Sequence, residues 1–314
     1  MAELDYKIKR IPHVYTREDL PLQAKTVIAI GNFDGVHLGH QMLLSRLSEE
    51  AKKRDAVPMV FTFTENPKVL LFGAKYLLGD DDRMEAFAEL GVESVYRAEY
   101  AYLHDFSCEA FVRDFLVKQF GCVCTVVGSD FRFGKGRMGD PGTMKAMMAQ
   151  NGGDCVVLPQ LEKDGKKISS SYIRRILGEG KLDEVESLFG RKHSFILPIR
   201  EGRHLGRKIG FPTINQIPPA DRMLPRFGVY ASKVELGDRT LYGVTNIGIK
   251  PTVSSESKPV FETHLLDFSG NLYGVTAKVT LLKFLRKERC FSTLEELKEQ
   301  ITRDIEAVRE GGTE

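Results

Sequence analysis

The chain has 314 residues, with 45 Lys and Arg against 43 Asp and Glu and a formal net charge of +2 at pH 7. That length can hold two domains, each with its own core. The near balance of charge argues against affinity for nucleic acid through a broad basic face, and no run approaches the roughly 18 apolar residues that a membrane span needs. Met1 to Arg10 is polar and lacks the apolar stretch of a signal peptide, so a cytoplasmic protein is expected. Five cysteines, Cys108, Cys122, Cys124, Cys155 and Cys290, are scattered and odd in number. Cys122 and Cys124 share one face of a predicted strand, with no histidine or second cysteine pair nearby to complete a zinc site. Reduced core thiols are expected.

In chain order, Thr26-Val-Ile-Ala-Ile30 is short, β-branched and nearly all apolar, the pattern of a central parallel strand. It runs into Gly31-Asn32-Phe33-Asp34-Gly35-Val36-His37-Leu38-Gly39-His40, and Gln41 to Lys53 follows with Met42, Leu43, Leu44, Leu47 and Ala51 at helical spacing. A glycine-broken turn between such a strand and helix is where open α/β sheets bind ligands. Gly31, Gly35 and Gly39 let a phosphate approach the amides of the turn, Asn32 and Phe33 among them. The helix start adds unpaired N–H groups and a positive dipole end. His37 and His40 can both donate to phosphate oxygens, and Gly39 leaves room between them. The four residues resemble the HxGH signature of the nucleotidyltransferase superfamily, whose histidines stabilise charge when the α-phosphate of ATP is attacked.

Strands are predicted at Val57–Phe63, Val92–Tyr96, Cys122–Val127 and Asp154–Leu158, with helices at Asp80–Leu90, Ser107–Phe120 and Gly142–Gln150. Thr64 to Pro67 reads as a turn. The alternation implies a doubly wound parallel sheet. Asp130, Arg132 and Lys135 follow a strand on the same sheet edge as the histidine turn, and Phe131 and Phe133 flanking Arg132 suggest a surface for a planar ring. Ile168-Ser169-Ser170-Ser171-Tyr172-Ile173-Arg174 places a serine run at the cap of a helix, where hydroxyls, N–H groups and Arg174 can hold phosphate.

GNFDGVHLGH, VVGSDFRFGKGRMGD and ISSSYIRRIL, in this order and spacing, resemble the FAD synthetase module of bacterial bifunctional riboflavin kinase/FAD synthetases. The resemblance implies that an FMN phosphate oxygen attacks the α-phosphate of ATP and pyrophosphate leaves. It places His37 and His40 on the ATP phosphates and Asp130, with Phe131 and Arg132, at the flavin edge. Ser170, Ser171 and Arg174 would contact the triphosphate. Where the family often has threonine this chain has Ser171, and its Phe-Glu-Pro-His-Pro stretch appears as Phe63-Thr-Glu-Asn-Pro67.

The boundary is expected near Leu182 to Arg191, with modules over 1–186 and 187–314. Lys181 to Phe189 reads as a short helix closed by Gly190. Strand-like segments then recur at Ser194–Arg200, Gly228–Val234, Leu241–Ile247, Val260–Asp267 and Thr276–Leu282, which favours a small antiparallel barrel. Ser292 to Arg309 reads as one helix with Leu294, Leu297, Ile301, Ile305 and Val308 on one face. Gly206-Arg207-Lys208-Ile209-Gly210-Phe211-Pro212-Thr213-Ile214-Asn215 supplies a flexible turn, two cations, a hydroxyl and an amide oxygen, suitable for nucleotide phosphates and Mg²⁺. Glu262, in Phe261-Glu-Thr-His264, sits on a largely apolar strand, where an inward carboxylate needs a reason.

These motifs, with Asn246-Ile-Gly-Ile-Lys-Pro-Thr252, resemble the riboflavin kinase module of the same family. The resemblance implies that Gly206, Lys208, Gly210 and Thr213 meet ATP and that Thr213 and Asn215 bind Mg²⁺. Glu262 would be the general base on the riboflavin primary hydroxyl, which attacks the γ-phosphate. One departure stands beside this loop, Leu197-Pro198 where the family has a glycine, and a proline in a strand predicts displaced backbone there. The expected activity is therefore FAD synthesis from riboflavin and two ATP, with riboflavin, FMN and ATP as partners and neither nucleic acid nor membrane. The alternative is an FMN adenylyltransferase whose second module only binds flavin. An RNA-binding reading lacks a lysine-rich KMSKS-like loop and a basic face.

Overall fold

The computed structural model of the protein describes residues 4–7, 11–202, 206, 209–250 and 258–311. Arg207, Lys208, Pro251 and Thr252 lie outside the described residues. The chain forms two compact units, one of described residues 11–76 and 83–172, the other of residues 4–7, 77–82 and those from 173 onward.

In the first unit, six strands make a sheet in the order β1-β4-β3-β2-β5-β6: β1 His13–Tyr15, β2 Thr26–Ile30, β3 Val57–Phe63, β4 Ser94–Ala98, β5 Cys122–Gly128 and β6 Asp154–Leu158. Every pairing is parallel. All five residues of β2 are buried, as a strand covered on both faces requires. The chain builds from β2 outward through β3 and β4, then returns to β2 to add β5 and β6. The order therefore reverses between β2 and β5, and the crevice at the carboxyl end of β2 is the switch point where such sheets bind ligands.

Helix α1, Leu38–Arg54, leaves that point and buries Leu43, Leu44, Leu47 and Ala51. The stretch read as a turn bends at Thr64 and Glu65 and leads into helix α2, Pro67–Phe72: the Asn66 side chain accepts the Lys68 N–H at 2.9 Å and Gly73 closes the helix in the left-handed region. Helices α3, Asp80–Glu89, and α4, Tyr100–Leu103, flank β4. The predicted helix after Ser107 is a wide-turn π-helix over Ala110–Val117 running into α5, Lys118–Phe120. It buries Phe111 and Phe115, which meet Phe61 edge-on. Helix α6, Pro141–Gln150, starts at Asp140, whose carboxylate accepts the Thr143 N–H at 2.8 Å.

A hairpin of β7, Glu162–Lys163, and β8, Lys166–Lys167, leads into α7, Ser170–Gly178, and α8, Leu182–Phe189, which ends at Gly190 as expected. All cysteines are free. Burial pushes the Cys122 thiol up, and the Cys124 thiol to about 11. Cys155 is buried too, but Cys108 is half-buried and Cys290 exposed, which corrects the expectation of five core thiols.

The second unit contains a closed antiparallel barrel in the order β10-β13-β12-β11-β14-β9. Its strands are β9 Ser194–Arg200, β10 Thr213–Gln216, β11 Gly228–Leu236, β12 Arg239–Lys250, β13 Lys258–Leu265 and β14 Thr276–Arg286. Thr213 and Asn215 thus sit on a strand, not in the flexible turn that was expected. Inside, the hydroxyls of Ser232, Thr245 and Thr263 form a chain with steps of 2.7 and 2.8 Å. Helix α9, Leu294–Gly311, packs Ile305 and Val308 on Val229, Ala231 and Val244. Leu294 is 58% exposed, so the predicted apolar face begins a turn later.

Pro198 does not displace β9. Ile199 donates its N–H to Val275 on the β14 side, so the N–H missing at Pro198 would face β10. The β10 pairing ends at Gln216 opposite Ile199, so no ladder bond is lost. The Gln216 amide donates to the Leu197 carbonyl at 2.7 Å instead.

Candidate active sites

The first site is built on the turn after β2. Phe33 and Val36 hold left-handed backbone, with φ of 48° and 40°, although neither is glycine. Both are fully buried, and that packing holds the strained turn in place. The Phe33 ring lies 5.2 Å from the His40 ring and meets Phe87 edge-on.

His37 is the N-cap of α1. Its Nδ1 accepts the His40 N–H at 3.4 Å and its carbonyl accepts the same N–H at 2.7 Å. An accepting Nδ1 assigns the proton of a neutral ring to Nε2, which leaves that atom a donor. The two imidazoles stack, with centroids 3.7 Å apart and planes 14° apart. A Cβ on Gly39 would stand 3.3 Å from His37 Nδ1, a tight contact that the stacked ring would have to yield to by a few tenths of an ångström.

Three serines divide the work expected of the serine run. Ser169 Oγ accepts the Tyr172 N–H at 3.3 Å and caps α7. Ser170 Oγ donates to the Asp34 carbonyl at 2.9 Å, tying the start of α7 to the histidine turn. Ser171 is exposed on the first turn, and Arg174 follows one turn later, half-buried.

Asp130 lies past β5 and is bound by Lys167 Nζ at 3.0 Å. Burial raises its carboxyl pKa, but the Lys167 hydrogen bond and charge outweigh this and hold it below the usual range. Lys167 was not singled out from the sequence. Its hairpin turns at Asp164-Gly165, both with positive φ, and an Asp-Gly pair between two lysine-rich stretches is the hairpin signal that could have found it. Arg132 is exposed and donates to the Phe131 carbonyl. The expected aromatic surface is only half present: Phe131 is half-buried, while Phe133 stacks on it at 5.6 Å and is buried against Phe111.

The second site lies on the barrel. Asn215 of β10 stands opposite Glu262 of β13, and Asn246 of β12 stands opposite Glu262 on its other side. The three polar residues form a row across three strands. Phe261 and Thr263 are fully buried and Glu262 is not, so alternation puts its carboxylate on the outer face of the barrel rather than inward. Asn215 is 8% exposed, and a Cβ on Gly202 would strike its carboxamide, so that loop covers it closely. The Gly206 carbonyl accepts N–H groups from Ile209 and Phe211, and Gly210 turns the chain with φ of 92°. His264 Nδ1 lies 2.8 Å from the Pro212 carbonyl, fixing the chain just before Thr213.

A glycine-rich turn with paired histidines on a parallel sheet, followed by a barrel carrying a carboxylate between two amides, is the architecture of a two-module nucleotide-using enzyme. Family models agree: the one for FAD synthetase matches residues 20–172 and the one for riboflavin kinase residues 189–311. A bifunctional riboflavin kinase/FMN adenylyltransferase of Escherichia coli (strain K12) is 38% identical over 311 residues, 96% of this chain and 97% of its own. Its namesake from Bacillus subtilis (strain 168) is 34% identical, covering 95% of each chain. A crystal structure described as a macrolide-efflux protein from Streptococcus pneumoniae shares the fold at a TM-score of 0.85 and 26% identity, over 94% of this chain and 98% of that one. This chain belongs to the family of bifunctional riboflavin kinase/FMN adenylyltransferases. It makes FAD from riboflavin in two ATP-dependent steps, phosphorylation to FMN in the barrel half and adenylylation of FMN with release of pyrophosphate in the parallel-sheet half. Nothing in these comparisons favours an adenylyltransferase with a silent kinase half.

Proposed function

We propose that the stacked histidines and the row on the barrel carry the two steps. In the first unit, an FMN phosphate oxygen attacks the α-phosphorus of ATP as its bond to pyrophosphate breaks. His37 and His40, with the amides of Asn32, Phe33 and Gly39, take up the growing negative charge, while Gly31, whose N–H donates to the Phe61 carbonyl at 3.0 Å, borders the phosphate through its lack of a side chain. Ser171 and Arg174 hold the departing phosphates, with Ser170 fixing the start of their helix. Asp130, Phe131 and Arg132 border the flavin.

On the barrel, the riboflavin primary hydroxyl attacks the γ-phosphorus of ATP and ADP leaves, with Glu262 taking the hydroxyl proton. Gly206, Lys208, Gly210 and Thr213 border the nucleotide. Thr213 and Asn215 are neutral oxygen donors on one short strand, which suits Mg²⁺, an ion that takes only one or two protein ligands beside substrate phosphates and water. Among the described residues no group of three His, Cys, Asp or Glu side chains gathers as a metal cage. When bound with ATP, Mg²⁺ would neutralise phosphate charge.

The functional division is proposed at 186/187, supported by the gap between the two family matches at residues 172 and 189. We place the enzyme in the cytoplasm, with riboflavin, FMN and ATP as its partners; no helix among the described residues is long and apolar enough to cross a membrane.

The observation that carries the assignment is the convergence of two loops, 136 residues apart, on one histidine turn through Ser170 and Asp34. The test is chromatography of purified protein with ATP and Mg²⁺, started once from riboflavin and once from FMN. FAD from both flavins fits two working sites. FAD from FMN alone would refute the role given to the barrel row.

A further inference from the structure

Glu288 belongs to none of the motifs above. It follows β14 and meets the barrel row from outside it. The Asn246 Nδ2 donates to Glu288 Oε1 at 3.2 Å. The other end of that carboxamide, Oδ1, is buried and takes no hydrogen bond among the described residues. Asn246 stands directly opposite Glu262, and side chains so paired lie about 5 Å apart at Cβ.

Gly248 adds a second observation. It sits two residues from Asn246 on β12, so its missing side chain would point to the same face. A Cβ built there would land on the Glu288 carboxylate. Its φ lies outside the left-handed region, so the backbone does not demand glycine. What glycine supplies is space, and the carboxylate of Glu288 fills it.

We propose that Glu288 is a positioning residue of the riboflavin kinase step. It anchors the carboxamide of Asn246 by the N–H end, and the Oδ1 end then receives a ribityl hydroxyl of riboflavin next to the one that reacts at Glu262. Riboflavin carries a run of hydroxyls, so an acceptor one step along the row from the base fixes which of them is presented. The proposal rests on the reading of Glu262 as the base.

The test is steady-state riboflavin phosphorylation by the full chain carrying Glu288→Ala, Glu288→Gln, Gly248→Ala, Asn246→Ala, the Asn246→Ala/Glu288→Ala pair, or Glu262→Ala. FMN adenylylation is measured in each as a check on folding. Loss of one oriented hydrogen bond to a charged acceptor predicts that Glu288→Ala lowers kcat/KM for riboflavin about tenfold, chiefly through KM, with KM for ATP unchanged. Glu288→Gln keeps an acceptor and restores most of the loss, whereas Gly248→Ala, which expels the carboxylate, reproduces it. The double variant is no worse than Asn246→Ala alone, because Glu288 acts through Asn246. Additive losses, a wild-type riboflavin KM in Glu288→Ala, or an equal change in the ATP KM would each overturn the proposal. If Glu262→Ala phosphorylates riboflavin at close to the wild-type rate, the underlying site reading fails instead, and the two failures are told apart.

Discussion

Ser170 and Asp34 are 136 residues apart in the chain, yet the Ser170 hydroxyl donates to the Asp34 carbonyl at 2.9 Å. The bond joins the histidine turn to the first turn of α7, so this side chain links the two helix starts proposed to hold phosphate. Ser170→Ala removes it and leaves the cap at Ser169 in place. The expected result is a fall of about tenfold in kcat/KM for FMN adenylylation, with riboflavin phosphorylation unchanged. Equal loss in both steps would instead mean that the bond serves folding.

The stacked imidazoles make a sharper prediction. Removing one preorganised donor from a site of developing charge costs about 10²–10³ in rate. His40→Ala should therefore stop FAD formation from FMN at assay sensitivity while FMN still accumulates from riboflavin. Gly39→Ala tests the geometry without removing either ring, since its Cβ would stand 3.3 Å from His37 Nδ1. It should lower adenylylation by less than His40→Ala does.

On the barrel the expectation is the reverse. Glu262→Ala should lower riboflavin phosphorylation about 10²-fold, the low end for a general base, because positioning and charge neutralisation carry most of a phosphoryl transfer. FAD formation from added FMN should persist. An FMN-forming rate close to wild type would remove Glu262 from the mechanism.

The histidine turn was legible in the sequence because every part of it is local: a buried strand, glycines, and a helix that starts within ten residues. Strands β3, β6 and β9 coincide with their predicted bounds for the same reason, as their apolar runs end at clear turn signals. Strand β10 was missed because it has four residues, three of them polar, and is held by β9 and β13 rather than by its own pattern. The partners of the site residues were hidden similarly. Lys167 reaches Asp130 across 37 residues, and Asn246 reaches Glu288 across 42. Phe133 reads as a surface ring until the fold sets it against Phe111.

Breaking one buried ion pair should destabilise the barrel unit. Asp82 and Arg222 meet at 2.8 Å with side chains 5% and 4% exposed. The aspartate also accepts the N–H groups of Ile196 and Gly79, and the guanidinium donates to the Ser194 carbonyl and lies over the Phe195 ring. Arg222→Ala takes the guanidinium away from a buried carboxylate, which costs about 3–5 kcal/mol. Urea unfolding should show it as a lower midpoint. A shift worth under about 1 kcal/mol, the scale of an exposed pair, would mean that water reaches the site.

His193, between α8 and β9, predicts how stability follows pH. It is 3% exposed, its ring meets Phe195 edge-on at 4.8 Å, and neither ring nitrogen has a hydrogen-bond partner among the described residues. Burial, with the charges of Arg222 and Arg191 added to it, holds its pKa well below the ordinary 6.5. Between that depressed value and 6.5 the unfolded chain binds a proton that the folded chain refuses. Stability is therefore highest above about pH 6.5 and is lost as pH falls below it. His193→Phe keeps a ring of similar shape between Phe189 and Phe195 and removes the titration. Its urea midpoint should fall less than that of the wild type between about pH 7.5 and pH 5.5, the window in which a free histidine charges. Parallel curves for the two proteins would assign the acid sensitivity to other groups.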